Sequence, residues 1–581
     1  MSDKTLRSSR SVDLTAAPFH LGVEDVEWVR TTIDSMSLPE KIGQLFVNHN
    51  AHFDNAYLDR LVDEFHVGGI RHHTAPAAEV SAVVRRVQER AKVPLLVAAN
   101  IEAGGEATAS EGTLVGSALQ CASAPDLTAS RRMGFVGGAE SAAVGCNWSF
   151  APVVDVHYNW RNTVIASRAF GDDPDVVIDH ARAYSEGIRD GVAERPMALC
   201  AKHFPGDGVD ERDQHMVTSV NTMTTAEWDN SFGRIYRNMI EDGIASIMIG
   251  HIALPEYSRR LRPEIDRILP ATIAPELIDD LLRGQLGFNG LILTDATHMI
   301  GFTAALPRRE LLPAAVNAGC DMVLFFRDPV EDLEIMRTAV ETGVVSAERL
   351  DVALQRILGL KASLGLHRAQ IAGTLVPDDD ARAVVGCDEH RAVAADVADQ
   401  TVTLVRDTGV LPLDVDTHRR IRLICPPDLL RYGAPPSYQG AMRAELEAAG
   451  FEVEDYPPAL PKSFAEILDH VGSSNRDFGK SCDAAIVVAG FHGIGRQSSV
   501  RLAWSMPFGP EMPWYSAEVP TIFVSLGLPN HLADVPMVSA LINAHAPTPE
   551  VIHAVVQKIL GHSEFRGSHN DKVLCGLTEI L

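Results

Sequence analysis

The sequence predicts an α/β protein: a TIM-type (β/α)8 barrel followed by a smaller α/β sandwich domain. Three observations predict it. Eight short apolar runs recur with a regular beat up to residue 365, each followed by a segment of helix length. The runs lack polar alternation, as expected of parallel strands covered on both faces. Beyond residue 390 a second series of apolar runs begins, after a stretch mixing Gly, Pro and acidic residues.

The first series comprises QLFVN (44–48), VGGIR (67–71), VPLLVAAN (93–100), WSFAPV (148–153), MALCAK (197–202), ASIMIG (245–250), LILTD (291–295) and DMVLF (321–325). Stretches between them, such as EVSAVVRRVQERA, carry helical periodicity. The last barrel helix is expected in SAERLDVALQRILGLKASLGL, from an N-cap at Ser346 to about Gly365. This divides the chain into an N-terminal extension (1–22), a catalytic barrel (23–365), a linker (366–390) and a C-terminal domain (391–581). The last should hold strands in TVTLVR, IRLIC, AAIVVAG, PTIFVS and ALINA, with helices in GAMRAELEAAG and EVIHAVVQKIL. GFHGIGRQ is glycine-rich but lacks the dinucleotide spacing, and is expected to be a loop.

Bulk properties exclude several classes. At 581 residues and a net charge of −26, the chain has no basic face for nucleic acid or an anionic membrane. No run approaches the ~18 apolar residues of a membrane span, and the N-terminal residues lack the apolar core of a secretory leader. Eight scattered cysteines without CxxC are expected to be buried free thiols of a cytoplasmic protein.

A barrel places its chemistry at the C-terminal ends of its strands. There the sequence has Asn48, His72, Asn100, Asp155, Lys202, His203, His251 and Asp295. The densest constellation runs from Lys202 to His215, KHFPGDGVDERDQH. Lys202 and His203 end the fifth run, so the barrel should hold them at its mouth. Pro205-Gly206-Asp207-Gly208 then leaves as a loop carrying Asp213 and His215. In an extended segment, positions i and i+2 share a face, which sets carboxylate beside imidazole. The carboxylate fixes the tautomer and raises the proton affinity of the ring, which then suits general acid/base work. The alternative is a solvated acidic loop with an incidental histidine.

Asp295 closes the seventh run, where a carboxylate is placed to attack an electrophilic carbon; its alternative is capping the next helix. Arg168, in NTVIASRAFGDDP, is either a substrate-gripping guanidinium or a salt-bridge partner of Asp172 or Asp173. His251 is expected to orient its neighbours.

With these residues in view, the chain resembles glycoside hydrolase family 3, in particular its β-N-acetylglucosaminidase branch. SLPEKIGQLF resembles the opening helix and strand, and SRAFGDDP the segment that delivers a substrate-binding arginine. KHFPGDG-V-DERDQH resembles the branch's Lys-His-Phe-Pro-Gly motif with its Asp-x-His dyad, and LILTDATHM the nucleophile strand. AVNAGCDMVL and RILGLKASLGL are similar to the closing strand and helix, TVTLVRDTGVLPL and PTIFVSLGLPNHLADVP to the second domain. The resemblance implies a retaining exo-β-N-acetylglucosaminidase of small amino-sugar glycosides, without cofactor or metal. It implies Asp295 as nucleophile, His215 as acid/base with Asp213, and Lys202, His203, Arg168 and Asn100 as substrate ligands. Asn100 stands where the branch carries Asp, with one residue inserted after it; Asp207 and Val209 also depart from the branch pattern.

A histidine acid/base removes one negative charge from the acceptor side, so phosphate becomes admissible as nucleophile, and a phosphorylase with the same residues is the alternative activity. Two further alternatives are a metal-dependent hydrolase built on His203, Asp213 and His215, and a non-catalytic sugar-binding protein.

Overall fold

The structure is a computed structural model that describes residues 11–50, 54–192, 194–426, 436–456, 463–471, 474–491, 501–504 and 509–568. Two compact units emerge. The first spans residues 1–114, 130–156 and 173–390, and the second 115–129, 157–172 and 391–581.

The first unit is the expected barrel. Its strands are β1 (Phe46–Asn50), β2 (Gly69–His72), β3 (Leu96–Ala99), β4 (Trp148–Ser149), β5 (Ala198–Phe204), β6 (Ser246–Ile249), β7 (Leu291–Ala296) and β8 (Met322–Leu324). All eight pair in parallel with their sequence neighbours, and β8 closes on β1. The interior is filled by alternate residues, among them Leu96, Ala98, Trp148, Phe150, Ala198, Cys200, Met248, Leu291 and Leu293. Burying each large side chain there contributes about 1.5–3 kcal/mol. Ser346 caps the closing helix Ala347–Ser363, accepting the Arg349 N–H, and Gly365 ends it in the left-handed region at φ 65°. The stretch after it contains the helix Leu366–Ala372 and a 3-10 turn, Asp379–Val384.

At the N-terminal end of β8, Asp321 is fully buried among three guanidiniums: Arg283 at 2.7 Å, Arg349 at 3.0 Å and Arg356 at 3.3 Å. It also accepts the Ile292 N–H. This ties β7, β8, the helix Ala347–Ser363 and the Glu276–Gln285 helix together beneath the core.

The second unit carries a six-stranded sheet of β9 (Thr403–Asp407), β10 (Arg420–Ile424), β11 (Glu452–Asp455), β12 (Ala484–Ala489), β13 (Thr521–Ser525) and β14 (Ala540–Asn543), ordered β9-β14-β13-β12-β10-β11. Only β9 runs antiparallel to its neighbour. Five strands lie where the apolar runs predict. The sixth, β11, is an edge strand in which Glu452 and Glu454 are exposed, so it has no apolar run to betray it. The helices Tyr438–Ala448 and Pro549–Ile559 pack together. Of GFHGIGRQ, only Gly490 and Phe491 lie within the described residues.

The segment 157–172 is clamped within this unit by Arg501, whose guanidinium donates to Trp160 O at 2.6 Å and lies over the Trp160 ring. The seven described cysteines are free thiols, five of them buried. Among the described residues no helix is long and apolar enough to cross a membrane.

Candidate active site

Period-two alternation decides which residues look into the barrel mouth. Ala198 and Cys200 lead inward to Lys202, Leu291 and Leu293 to Asp295, and Leu96 and Ala98 to Asn100. On the other side, Val47 leads to His49, whose register partner is Arg71. The polar layer above the core therefore contains His49, Arg71, Asn100, Lys202 and Asp295. Asn48 and His72, named from the sequence as strand-end candidates, have the opposite parity. Asn48 accepts from the Tyr57 hydroxyl at 3.2 Å, and His72 Nε2 lies 3.4 Å from Cys146 Sγ.

Lys202 is buried and pairs with Glu102 at 2.6 Å. Next to it, His203 bridges two aspartates. Its Nδ1–H donates to Asp155 Oδ2 at 2.7 Å and its backbone N–H to Asp155 Oδ1 at 3.1 Å. That bond sets the tautomer and leaves Nε2 directed at Asp295 Oδ2, 3.9 Å away. Asp155 is wholly buried and also accepts the Asp207 N–H at 2.8 Å.

Asp295 Oδ1 accepts the Ala296 N–H at 2.7 Å. Burial alone would raise this carboxyl, but the imidazoles of His203, His251 and His215, with the Ala296 N–H, hold it below its ordinary value. It is thus ionised near neutral pH. His251 is fully buried, and desolvation lowers its pKa to about 4. It bonds Ala296 O through Nε2 and takes Gln214 Oε1 on its backbone N–H, which is the orienting role expected.

The Asp213/His215 dyad forms, with His215 Nδ1 to Asp213 Oδ1 at 2.7 Å. The local geometry corrects the extended segment expected from sequence. Residues 213–217 make a turn in which Asp213 Oδ1 also takes the His215 N–H at 2.8 Å and Asp213 O takes the Met216 N–H. A short acidic side chain closing a turn two residues on is what Asp favours, and here it brings the imidazole to the carboxylate. Asp213 is buried and His215 partly exposed. The turn is anchored from both sides. Gln214 donates to Asp207 Oδ2 at 3.2 Å, and the N–H groups of Ile300 and Gly301, just past β7, donate to His215 O and Gln214 O.

Asn100 is partly buried at the end of β3's inward row. Arg168 is partly buried in the 157–172 segment, which groups with the second unit, at the end of a turn whose Ile165 N–H is accepted by Asn162. The alternative metal set of His203, Asp213 and His215 does not assemble: no three His, Cys, Asp or Glu side chains are grouped to hold an ion among the described residues. Sequence reading gave no role to Asp155, Glu102, Asp207 or Gln214, which brace the catalytic candidates. It passed over His49 and Arg71 altogether. Counting parity back from the apolar core would have found both.

Residues 37–360 match the family model described as the glycosyl hydrolase family 3 N-terminal domain. The chain belongs to this family. A Cellulomonas fimi protein named β-N-acetylglucosaminidase/β-glucosidase is 41% identical over 97% of this chain and 99% of its own. A β-hexosaminidase of Hydrogenovibrio crunogenus is 31% identical over 47% of this chain and 74% of its own. Among solved structures, a family 3 fold named β-glucoside phosphorylase BglX, bound to 2FGlc, superposes with a TM-score of 0.89 at 34% identity, covering 96% of this chain and 98% of that one. As a family 3 member the protein is an enzyme of the glycosidase class.

Proposed function

We propose that the protein is a retaining exo-β-glycosidase acting on small N-acetylglucosaminides, with Asp295 as nucleophile. The observation that carries this reading is an aspartate at the end of β7 faced by His203 Nε2 at 3.9 Å, with the imidazoles of His203, His251 and His215 holding its carboxyl below the ordinary value. The carboxylate attacks the anomeric carbon and forms a glycosyl ester while His215, oriented by Asp213, protonates the departing oxygen. His215 then takes a proton from the incoming water, and the ester breaks with return of its electron pair to Asp295. Lys202 and Asn100, from the inward layer, and His203, beside Asp295, bind sugar hydroxyls, and Arg168 binds substrate as the family resemblance implies. The Cellulomonas fimi relative, by its name, supports glucosides as well as N-acetylglucosaminides as substrates.

The second reading is phosphorolysis with the same residues. It is supported by the likeness to the β-glucoside phosphorylase and by an imidazole where a carboxylate would repel an anion.

An aryl glycoside carrying fluorine at C2 tests the common mechanism. Mass spectrometry should find one added glycosyl unit on Asp295, and none on Asp295→Asn. A label on another residue, or none on the wild type, overturns the assignment.

A further inference from the structure

Arg501 belongs to the C-terminal domain, yet its guanidinium bonds loops and not the sheet. Its Nη1 donates to Trp160 O at 2.6 Å, its Nη2 to Pro529 O, and its Nε to Asp534 Oδ2 at 3.3 Å. Its Cζ lies 5.2 Å from the centre of the Trp160 ring. Asp534 is shared with His531, whose Nδ1 approaches the same oxygen at 2.8 Å. Only 4% of Arg501 is exposed. A cation so far out of water is costly unless its donors are met, and here the 157–172 segment and the loop after β13 meet them.

The grip ends at Trp160, but hydrogen bonds continue from there to Arg168. The His157 N–H donates to Gly171 O at 2.9 Å and closes the base of the segment. The Asn162 N–H donates to Asn159 O at 2.8 Å, and Asn162 Oδ1 accepts the N–H groups of Val164 and Ile165 at 3.1 and 2.9 Å. Asparagine favours such local closure. Ile165 O then accepts the N–H groups of Arg168 and Ala169 at 2.9 and 2.8 Å. Val164, Ile165 and Ala169 form a small buried apolar cluster, and the Leu119 N–H holds Ser167 O at 3.2 Å. Successive turns of this kind leave few free dihedrals between Trp160 and Arg168. A displacement at Trp160 is therefore carried to the Arg168 backbone and not absorbed on the way.

We propose that Arg501 is a positioning residue for substrate binding: by gripping Trp160 it fixes the stance from which Arg168 meets the sugar. The C-terminal domain thereby takes part in binding through the 157–172 segment. The inference rests on Arg168 being a substrate ligand. A guanidinium suits the task, because its planar fork holds two carbonyls and a carboxylate at set angles, which an ammonium on a flexible stem does not. Misplacing a binding group by about 1 Å can cost about 10²-fold in rate, so a clamp on the segment is felt at the sugar. A staple that only held the domain together would change how much enzyme folds. A clamp on Arg168 changes what the folded enzyme binds.

The test measures KM and kcat of the full chain on nitrophenyl N-acetylglucosaminide, with active sites counted by the C2-fluoro glycoside. Arg168→Gln should raise KM about 10- to 100-fold, the worth of a hydrogen bond to a charged group. Arg501→Gln should raise KM about 10-fold with kcat per counted site little altered, and Arg501→Lys should recover part of the loss. On an Arg168→Gln background, Arg501→Gln should add almost nothing, because the group it positions is gone. An unaltered KM in Arg501→Gln, or an equal rise with and without Arg168, overturns the clamp. So does a loss confined to the number of active sites, the mark of a purely structural staple. Should Arg501→Gln fail to fold, the same cycle run with Arg501→Lys decides between these outcomes. An Arg168→Gln enzyme with unaltered KM removes Arg168 as a ligand, and the clamp with it. A raised KM in Arg168→Gln beside an unaltered one in Arg501→Gln overturns the clamp alone.

Discussion

The Nε2 of His203 lies 3.9 Å from Asp295 Oδ2, while its Nδ1 is fixed by the buried Asp155. Asp155 therefore determines which nitrogen of the imidazole faces Asp295, the proposed nucleophile. Asp155→Asn should lower kcat/KM about 10- to 100-fold, the worth of a charge-assisted hydrogen bond, with the fold retained. Steady-state kinetics beside circular dichroism checks it, and a wild-type rate would show that His203 needs no such support.

Asp295→Ala should reduce turnover of nitrophenyl N-acetylglucosaminide by about 10⁴-fold or more. Rates close to wild type would remove Asp295 from the chemistry.

His215→Ala should separate substrates by leaving group. Glycosides with poor leaving groups should lose about 10²–10⁴-fold, whereas the first step on nitrophenyl glycosides should lose far less. Asp213→Asn should follow the same pattern more weakly, since Asp213 acts only through the ring it holds at 2.7 Å. Equal losses across leaving groups would argue against proton donation by His215.

Acid should destabilise the protein through its buried histidines. His72 and His251 are both lowered to about 4 by burial. Between their unfolded value near 6.5 and the folded value, the unfolded chain binds more protons. Stability is therefore complete above about pH 6.5 and is lost as pH falls toward 4. Urea midpoints measured from pH 7 to 4.5 should decline, and His72→Asn should flatten the slope. A slope untouched by that substitution would mean other groups dominate.

Asp321→Ala should cost about 3–5 kcal/mol, because it leaves three buried guanidiniums uncompensated. Chemical denaturation reads the loss directly. A cost below about 1 kcal/mol would imply that water replaces the carboxylate.

The barrel was legible because its strands are continuous apolar runs, and Asp213 and His215 were legible because a two-residue spacing survives any local conformation. What the spacing could not convey was the turn, since the bonds from Asp213 to the His215 N–H and from Met216 to Asp213 O depend on the whole loop. His49 and Arg71 escaped notice for a simpler reason. Strand ends read from sequence are uncertain by a few residues, so the last polar residue of a run does not fix which face it occupies, and Asn48 and His72 were named instead of their neighbours. Arg168 illustrates a third limit. It follows a barrel strand in sequence, yet its segment groups with the second unit, an association fixed by Arg501 more than 300 residues further on.

The two hydrogen bonds from Ile300 and Gly301 to the 214–215 carbonyls join the loop after β7 to the loop after β5. The proposed proton donor, His215, and the strand end that carries the proposed nucleophile, Asp295, are thus joined through backbone hydrogen bonds. Sequence drift in either loop is felt by both groups, so substitutions at 213–218 and 298–303 should evolve, and be engineered, as coupled pairs.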